Sequence, residues 1–303
     1  MAAKVILNPY AGRWQALKRR GEIEYSLKRL GIDYEIVLTE RPGHGIQLAK
    51  EAVQQGYDPI ITAGGDGSIN EVLNGMILGS SRQTMPSLGV IPLGSANDLV
   101  DNLGLPKKLD RAVQVIASGV TREIDVCQVN HRYFANNAAI GLEPYITLIQ
   151  QRIKRLKGVL RYLAATLLGI LDNPQWVMDI EWDDGKYSGP VTLVTVGNSP
   201  RTGGLFYMTP HAIPDDGLLT FVYGYMATRI QILRLLPRTM KSGQGSYVEH
   251  AAIHEVNSRW LTVRSHQPTP AHADGEIFDT GITTLEYKIH PRHIKIITGG
   301  YQR

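Results

Sequence analysis

The first third of the chain alternates short Val/Ile-rich runs, at residues 4–7, 34–38, 59–62 and 88–91, with amphipathic segments at 15–30, 45–55 and 69–78. Apolar runs bounded by Gly or Pro read as buried strands. Their alternation with helical patterns restricts the chain to a parallel sheet covered by helices. Ligands on such sheets bind beyond the carboxyl ends of the strands. Three of those ends carry loops of small residues: Asn8-Pro9-Tyr10-Ala11-Gly12, Gly64-Gly65-Asp66-Gly67-Ser68-Ile69-Asn70-Glu71, and Pro92-Leu93-Gly94-Ser95-Ala96-Asn97-Asp98. Small residues there let the backbone turn sharply and let a bulky ligand approach it.

Ser68 with Glu71, and Ser95 with Asp98, have capping-box spacing, which predicts a helix beginning at each. A helix N-terminus after a glycine turn is an anion site. One such turn is ordinary architecture. Three on successive strand ends, two carrying an Asp where an anion should sit, point to function. Asp66 and Asp98 would repel a phosphate unless a cation lay between, so the pattern predicts a Mg²⁺–nucleotide complex. The GxxxxGK[ST] spacing is absent, as is a GxGxxG after the first run, which excludes a Walker loop and a dinucleotide fingerprint.

The character changes near Glu123. Strand-like pieces follow at 124–129, 191–196, 218–223, 261–263, 284–287 and 294–297, interrupted by one long helical pattern at 145–171. We expect an α/β chain: a nucleotide-binding parallel-sheet domain over residues 1–123, then a mostly antiparallel β-sandwich-like domain over 124–303. A return of the final strand toward the first domain is left open. The length of 303 residues, 43% hydrophobic and 20% charged, suits two folded domains. A net charge of +4 without a reading motif gives no reason to expect nucleic acid. One cysteine, Cys127, precludes an intrachain disulfide and reads as inert core, so a reducing cytoplasm is expected. The first residues read as a strand rather than a signal peptide, and the apolar stretch 159–171 carries Arg161 and is too short to span a bilayer.

Two acidic turns stand out in the second half. Pro214-Asp215-Asp216-Gly217-Leu218 reads locally as an ordinary Asp-Gly turn, with a cation site as the functional alternative. Ala273-Asp274-Gly275-Glu276 reads as a hairpin turn, and also as a source of the carboxylate that a kinase needs to receive a hydroxyl proton. His44 reads as a loop residue near the nucleotide rather than a base, and no Cys/His set has zinc spacing.

The ordered set of these loops resembles the catalytic domain of the diacylglycerol kinase and sphingosine kinase family, most closely its bacterial lipid kinases. The resemblance continues through Asn137-Ala-Ala-Ile-Gly141, Lys157-Gly-x-x-x-Tyr162, Gly197-Asn198, Gly203-Gly204, Ala212 to Leu218, and Asp274-Gly-Glu276. It implies γ-phosphoryl transfer from Mg·ATP to a lipid hydroxyl, with diacylglycerol giving phosphatidic acid as the first expectation. It implies that Asn8, Pro9, Gly12, Thr39, Gly64, Gly65, Asp66, Gly67, Ser68, Asn70, Glu71, Gly94, Ser95 and Asn97 surround ATP. Asp66 and Asp98 would organise catalytic Mg²⁺. Asp216 with the carbonyls of Ile213 and Leu218 would hold a structural Mg²⁺. Glu276 would accept the proton, with Asp274 beside it. Two departures are visible: Ser68 and Ser95 stand where the family usually has Thr, and Asp101 where many members have Arg.

The basic and apolar residues interleaved over 151–161 suit either a solvated helix or transient peripheral contact with an anionic membrane. A homodimer is left open. Two other readings compete: a kinase of a soluble acceptor, as in NAD kinases, which share a Gly-Gly-Asp-Gly loop, and a lipid-binding protein without catalysis. The retained acids, Asp66, Asp98, Asp216, Asp274 and Glu276, argue against the last.

Overall fold

The computed structural model describes residues 2–81, 84–156 and 158–300. The chain divides into two compact units, Met1–Val126 with Pro291–Arg303, and Cys127–His290.

In chain order the first unit runs β1 (Ala3–Leu7), α1 (Ala11–Lys18), α2 (Arg20–Arg29), β2 (Tyr34–Leu38), α3 (His44–Gln54), β3 (Ile60–Gly64), α4 (Asp66–Gly79), β4 (Ser87–Pro92), α5 (Asp98–Asn102), α6 (Leu109–Ser118) and most of β5 (Thr121–Val129). Strands β2, β1, β3 and β4 lie side by side in that order, all parallel, and Lys295 and Ile296 add a further parallel neighbour to β4. β1 and β3 are buried along their whole length, as expected of parallel strands covered by helices. Val5, Leu7, Ile61 and Ile91 from the strands meet Ile23 and Leu27 of α2 and Val113 and Ile116 of α6 in one core.

Helices α3 and α4 pack closely because Gly75 has no side chain; a Cβ there would lie 2.2 Å from the Ile46 carbonyl oxygen. Neither expected capping box forms. α4 starts at Asp66, two residues before Ser68, with no side-chain cap. Glu71 instead reaches across to α3, where Oε1 accepts from Gly43 N at 2.7 Å and Oε2 from Gly45 N at 2.9 Å. The N-terminal N–H groups of a neighbouring helix outcompete those of its own. α5 is only five residues long, opens at Asp98 rather than Ser95, and has Asn97 in the left-handed region.

The second unit continues with β6 (Arg132–Phe134), β7 (Asn137–Gly141), α7 (Leu142–Arg152), α8 (Gly158–Asp172), β8 (Trp176–Trp182), β9 (Gly185–Val191), β10 (Leu193–Gly197), β11 (Arg201–Thr202), β12 (Phe206–Tyr207), β13 (Leu219–Gly224), α9 (Arg229–Leu235), β14 (Ile253–Ser258), β15 (Trp260–Ala273) and β16 (Glu276–Ile297), whose last residues belong to the first unit. Strands β14, β13, β10, β7, β15 and β16 follow one another antiparallel, and β8 joins β15 to β9. The fold class is the expected one, a parallel α/β sheet followed by an antiparallel sandwich-like domain.

The single helical pattern at 145–171 is two helices. Ile153 is extended, where Arg152, Lys154 and Arg155 would stack like charges and Gly158 weakens helix propagation. Lys157 lies outside the described residues. β15 and β16 run for 14 and 22 residues, far beyond the short runs expected. Pro268 and Pro270 hide the continuity of β15, and they sit where its register shifts, between Arg264 and Thr269 and between Thr269 and Ala271.

Removing the carboxylate in Glu71→Ala should destabilise the first unit by about 1–3 kcal/mol, the cost of orphaning N–H groups held by a charged acceptor. Faster hydrogen exchange at the Gly43 and Gly45 amides, read by mass spectrometry, is the expected local signature; unchanged protection there would rule out the cap.

Candidate active site

The three small-residue loops converge at the carboxyl ends of β1, β3 and β4. Asn8 Nδ2 donates to Ser68 Oγ at 2.9 Å, tying the first loop to the second. Leu93 N donates to Gly64 O at 2.7 Å, tying the third to the second. Glycine is required by contact as much as by conformation. A Cβ on Gly94 would lie 2.4 Å from Gly65 Cα, and one on Gly12, at φ +58°, would lie 2.7 Å from Leu93 O. Asn97, at φ +54°, folds the third loop on itself: its Oδ1 accepts from Gly94 N and its Nδ2 donates to Gly94 O, both at 3.0 Å. Thr39 follows the end of β2 and is buried. Asn70 is bridged by Asn74 Nδ2 on α4. Ser95 is exposed, whereas Pro9 is buried and Gly67 half-buried. His44 opens α3 and accepts from Glu40 N through Nδ1 at 3.1 Å, so it closes a turn.

Asp66 is the electrostatically loaded residue of this cluster. Burial pushes its carboxyl up from the ordinary value, opposed by the backbone N–H groups of Leu99, Asp98 and Asn97. The Leu99 N–H reaches Asp66 Oδ1 at 3.4 Å. Asp98 is 6% exposed. Asp101, the charge reversal, is paired with Lys107 at 2.7 Å.

The second unit holds the other acids. Asp274 and Gly275 have φ of +46° and +80° and form the two-residue turn between β15 and β16, with Ala273 paired to Glu276. The Asp274 carboxylate accepts from the backbone N–H groups of Ala135, Asn136 and Asn137 at 3.1, 2.9 and 3.1 Å. It therefore anchors the hairpin tip. Glu276 is exposed as the first residue of β16. Asp216 accepts from Leu218 N at 2.9 Å in an exposed turn next to Ile213.

The donor chemistry of both places fits a hard divalent cation. Burial disfavours the charged form of Asp66, and a cation beside it would reverse the penalty. Asp216 with nearby backbone carbonyls offers hard oxygen ligands. Among the described residues there is no cluster of three or more His, Cys, Asp or Glu that could enclose a metal by itself, so water or phosphate oxygens would have to complete either site.

Sequence reasoning passed over one group. Glu143, at the start of α7, is 7% exposed, and His272 of β15 is 2% exposed. Glu143 Oε1 accepts from Asn137 Nδ2 at 2.9 Å and lies 3.3 Å from His272 Nε2. Burial opposes the charge, but His272 and Asn137 outweigh it and hold the Glu143 carboxyl below its ordinary value. The Thr195 hydroxyl leans toward the same carboxylate without meeting hydrogen-bond geometry. The available signal was a charged residue directly after the apolar β7 run, and a His inside Pro270-Ala271-His272-Ala273.

Comparison with known proteins matches both halves of the chain to known domains. Residues 2–129 match the diacylglycerol kinase catalytic domain, and residues 136–298 match the YegS C-terminal NAD kinase beta sandwich-like domain. The chain is 29% identical over 277 residues to a diacylglycerol kinase of Staphylococcus saprophyticus, covering 90% of this chain and 88% of that one. It is 28% identical over 297 residues to the diacylglycerol kinase of Bacillus subtilis, covering 97% and 95%. A crystal structure of a diacylglycerol kinase from Bacillus anthracis strain Sterne has the same fold, with a TM-score of 0.76 at 22% identity, covering 98% and 96%. The chain belongs to the diacylglycerol kinase catalytic-domain family and is a diacylglycerol kinase-like kinase. The family implies use of ATP and, in general, a divalent metal. Among the described residues no helix is long and apolar enough to cross a membrane.

Two measurements check these geometries. Because the Asp66 carboxyl titrates above its unfolded value, its ionisation weakens the fold as pH rises through the folded value. Asp66→Asn should therefore raise the thermal midpoint of the ligand-free protein at neutral pH, with the gain shrinking below about pH 4. Asp274→Asn should cost about 1–3 kcal/mol and speed hydrogen exchange at residues 135–137, since one carboxamide oxygen replaces two charged acceptors.

Proposed function

We propose that the chain transfers the γ-phosphoryl group of Mg·ATP to the free hydroxyl of a lipid, with diacylglycerol, giving phosphatidic acid, the first acceptor to test. The observation that carries this reading is the convergence of three backbone-dominated loops on one sheet edge around a carboxylate pushed up by burial. Asn8, Pro9, Gly12, Thr39, Gly64, Gly65, Gly67, Ser68, Asn70, Gly94, Ser95 and Asn97 form the nucleotide surface. Glu71 spends both oxygens on Gly43 and Gly45, so its part is to hold the second loop and α3 together. A Mg²⁺ ion bound there would supply charge neutralisation for the transferring group. Asp66 and Asp98 would orient it, and Asp216 with the carbonyls of Ile213 and Leu218 would hold a second, structural ion.

In the step itself the lipid oxygen attacks the γ-phosphorus. The bond to the bridging oxygen breaks, ADP leaves, and the hydroxyl proton passes to Glu276. Asp274 keeps Glu276 at a defined place by fixing the turn that carries it.

Peripheral membrane contact has a surface to suit it. On α8, Leu160, Leu167, Leu168 and Leu171 are 67%, 47%, 47% and 44% exposed. Arg152, Lys154 and Arg155 are exposed just before that helix. Exposed leucines beside cations favour an anionic bilayer surface. That contact would bring a water-borne nucleotide site to a lipid-borne hydroxyl.

Transfer of labelled γ-phosphate to lipids in mixed micelles tests the proposal, with NAD as the soluble acceptor. Glu276→Gln should lower kcat by about 10²–10⁴-fold while ATP still binds. Labelling of NAD and no lipid would replace this reading with a soluble-acceptor kinase.

A further inference from the structure

Glu276 is exposed and directly follows the Asp274–Gly275 turn, so its place depends on how firmly that turn is held. The β15–β16 ladder holds it weakly. Its register shifts between Arg264 and Thr269, between Thr269 and Ala271 and between Ala271 and His272, which leaves the pairs His272–Ile277 and Ala273–Glu276 between the last shift and the tip. β7 supplies further restraint. Its Ala139 and Ala138 pair with His272 and Ala273, and Asp274 N donates to Asn137 O at 2.7 Å.

Asn137 is the hub of that restraint. It is 2% exposed, and its N–H donates to Asp274 Oδ1 at 3.1 Å. Both ends of its side-chain amide are engaged: Oδ1 accepts from Thr202 Oγ1 at 2.8 Å, and Nδ2 donates to Glu143 Oε1 at 2.9 Å. His272 Nε2 lies 3.3 Å from the same Glu143 oxygen. The contacts close a ring. Glu143 holds Asn137 and His272, Asn137 holds Asp274, and the backbone of β15 joins Asp274 back to His272. A buried ion pair is weak evidence for stability, since apolar residues of similar volume often serve the fold as well or better. A connected buried polar network instead rigidifies the elements it joins. Here those elements are β7, the start of α7 and the hairpin tip.

We propose that Asn137, Glu143 and His272 are positioning residues for phosphoryl transfer, locking the Asp274–Gly275 turn against β7 so that the Glu276 carboxylate is presented in one orientation. The inference rests on the reading of Glu276 as the proton acceptor. The three act through the turn, and a displacement of about 1 Å at a reacting group can cost on the order of 10²-fold in rate.

A double-mutant cycle separates positioning from mere stabilisation. Turnover of diacylglycerol in mixed micelles is measured for Asn137→Ala alone and in a Glu276→Gln background. Asn137→Ala alone should lower kcat by about 10–10²-fold with KM for ATP unchanged. In the Glu276→Gln background it should lower kcat far less, because no carboxylate is left to position. His272→Leu should act in the same direction, and His272→Gln, which keeps a donor for Glu143, should recover most of the turnover; this pair carries the cycle if Asn137→Ala does not fold. Amide exchange at residues 273–276, read without substrate, should be faster in Asn137→Ala. An unchanged kcat, an equal loss in both backgrounds, or unchanged exchange at the tip overturns the proposal. Absence of phosphate transfer by wild-type protein contradicts the kinase reading instead, and the exchange measurement still decides whether the network holds the turn.

Discussion

The first unit depends on one close approach, backbone against backbone, between Gly65 and Gly94. The loops after β3 and β4 touch so tightly that a methyl group at position 94 would overlap the facing Cα. That contact holds two loops of small residues together at one sheet edge. The Asn8–Ser68 hydrogen bond and the fit of Gly12 against Leu93 O add the third. Loops with so little side-chain bulk let a bulky anionic ligand approach the backbone closely.

Four acids divide by how they are satisfied. Glu71 and Asp274 accept from two and three backbone N–H groups respectively and fix a helix start and a hairpin tip. Glu143 is held charged by His272 and Asn137, whereas Asp66 is left partly uncompensated, its charged form disfavoured by burial. Structural acids are completed by the fold. An acid that awaits a cation carries a standing cost, the usual trade of stability for function.

Much of the architecture was legible. The parallel unit announces itself because Val/Ile runs bounded by Gly and Pro have few other ways to be buried, and its observed strands fall within about two residues of the sequence spans. The acidic turn at Asp274-Gly275 was equally plain. The capping boxes misled because Ser68 and Glu71 have the right spacing on a helix that starts earlier, so Glu71 serves α3. The break at 153–156 was hidden by continuous apolar periodicity, and the length of β15 by Pro268 and Pro270. Glu143 and His272 could not be paired from sequence, since 129 positions separate them (272 − 143) and only the β7–β15 pairing joins their neighbourhoods.

The central claim is that the converged loops of the first unit are a Mg·ATP surface. Calorimetric titration of Mg·ATP into wild-type protein and into Gly94→Ala tests it most directly. The account predicts saturable binding to the wild type and its loss in a variant that stays folded by circular dichroism, because the added methyl group forces the Gly65 and Gly94 loops apart. Undiminished binding to Gly94→Ala, or no binding to folded wild-type protein, would contradict it.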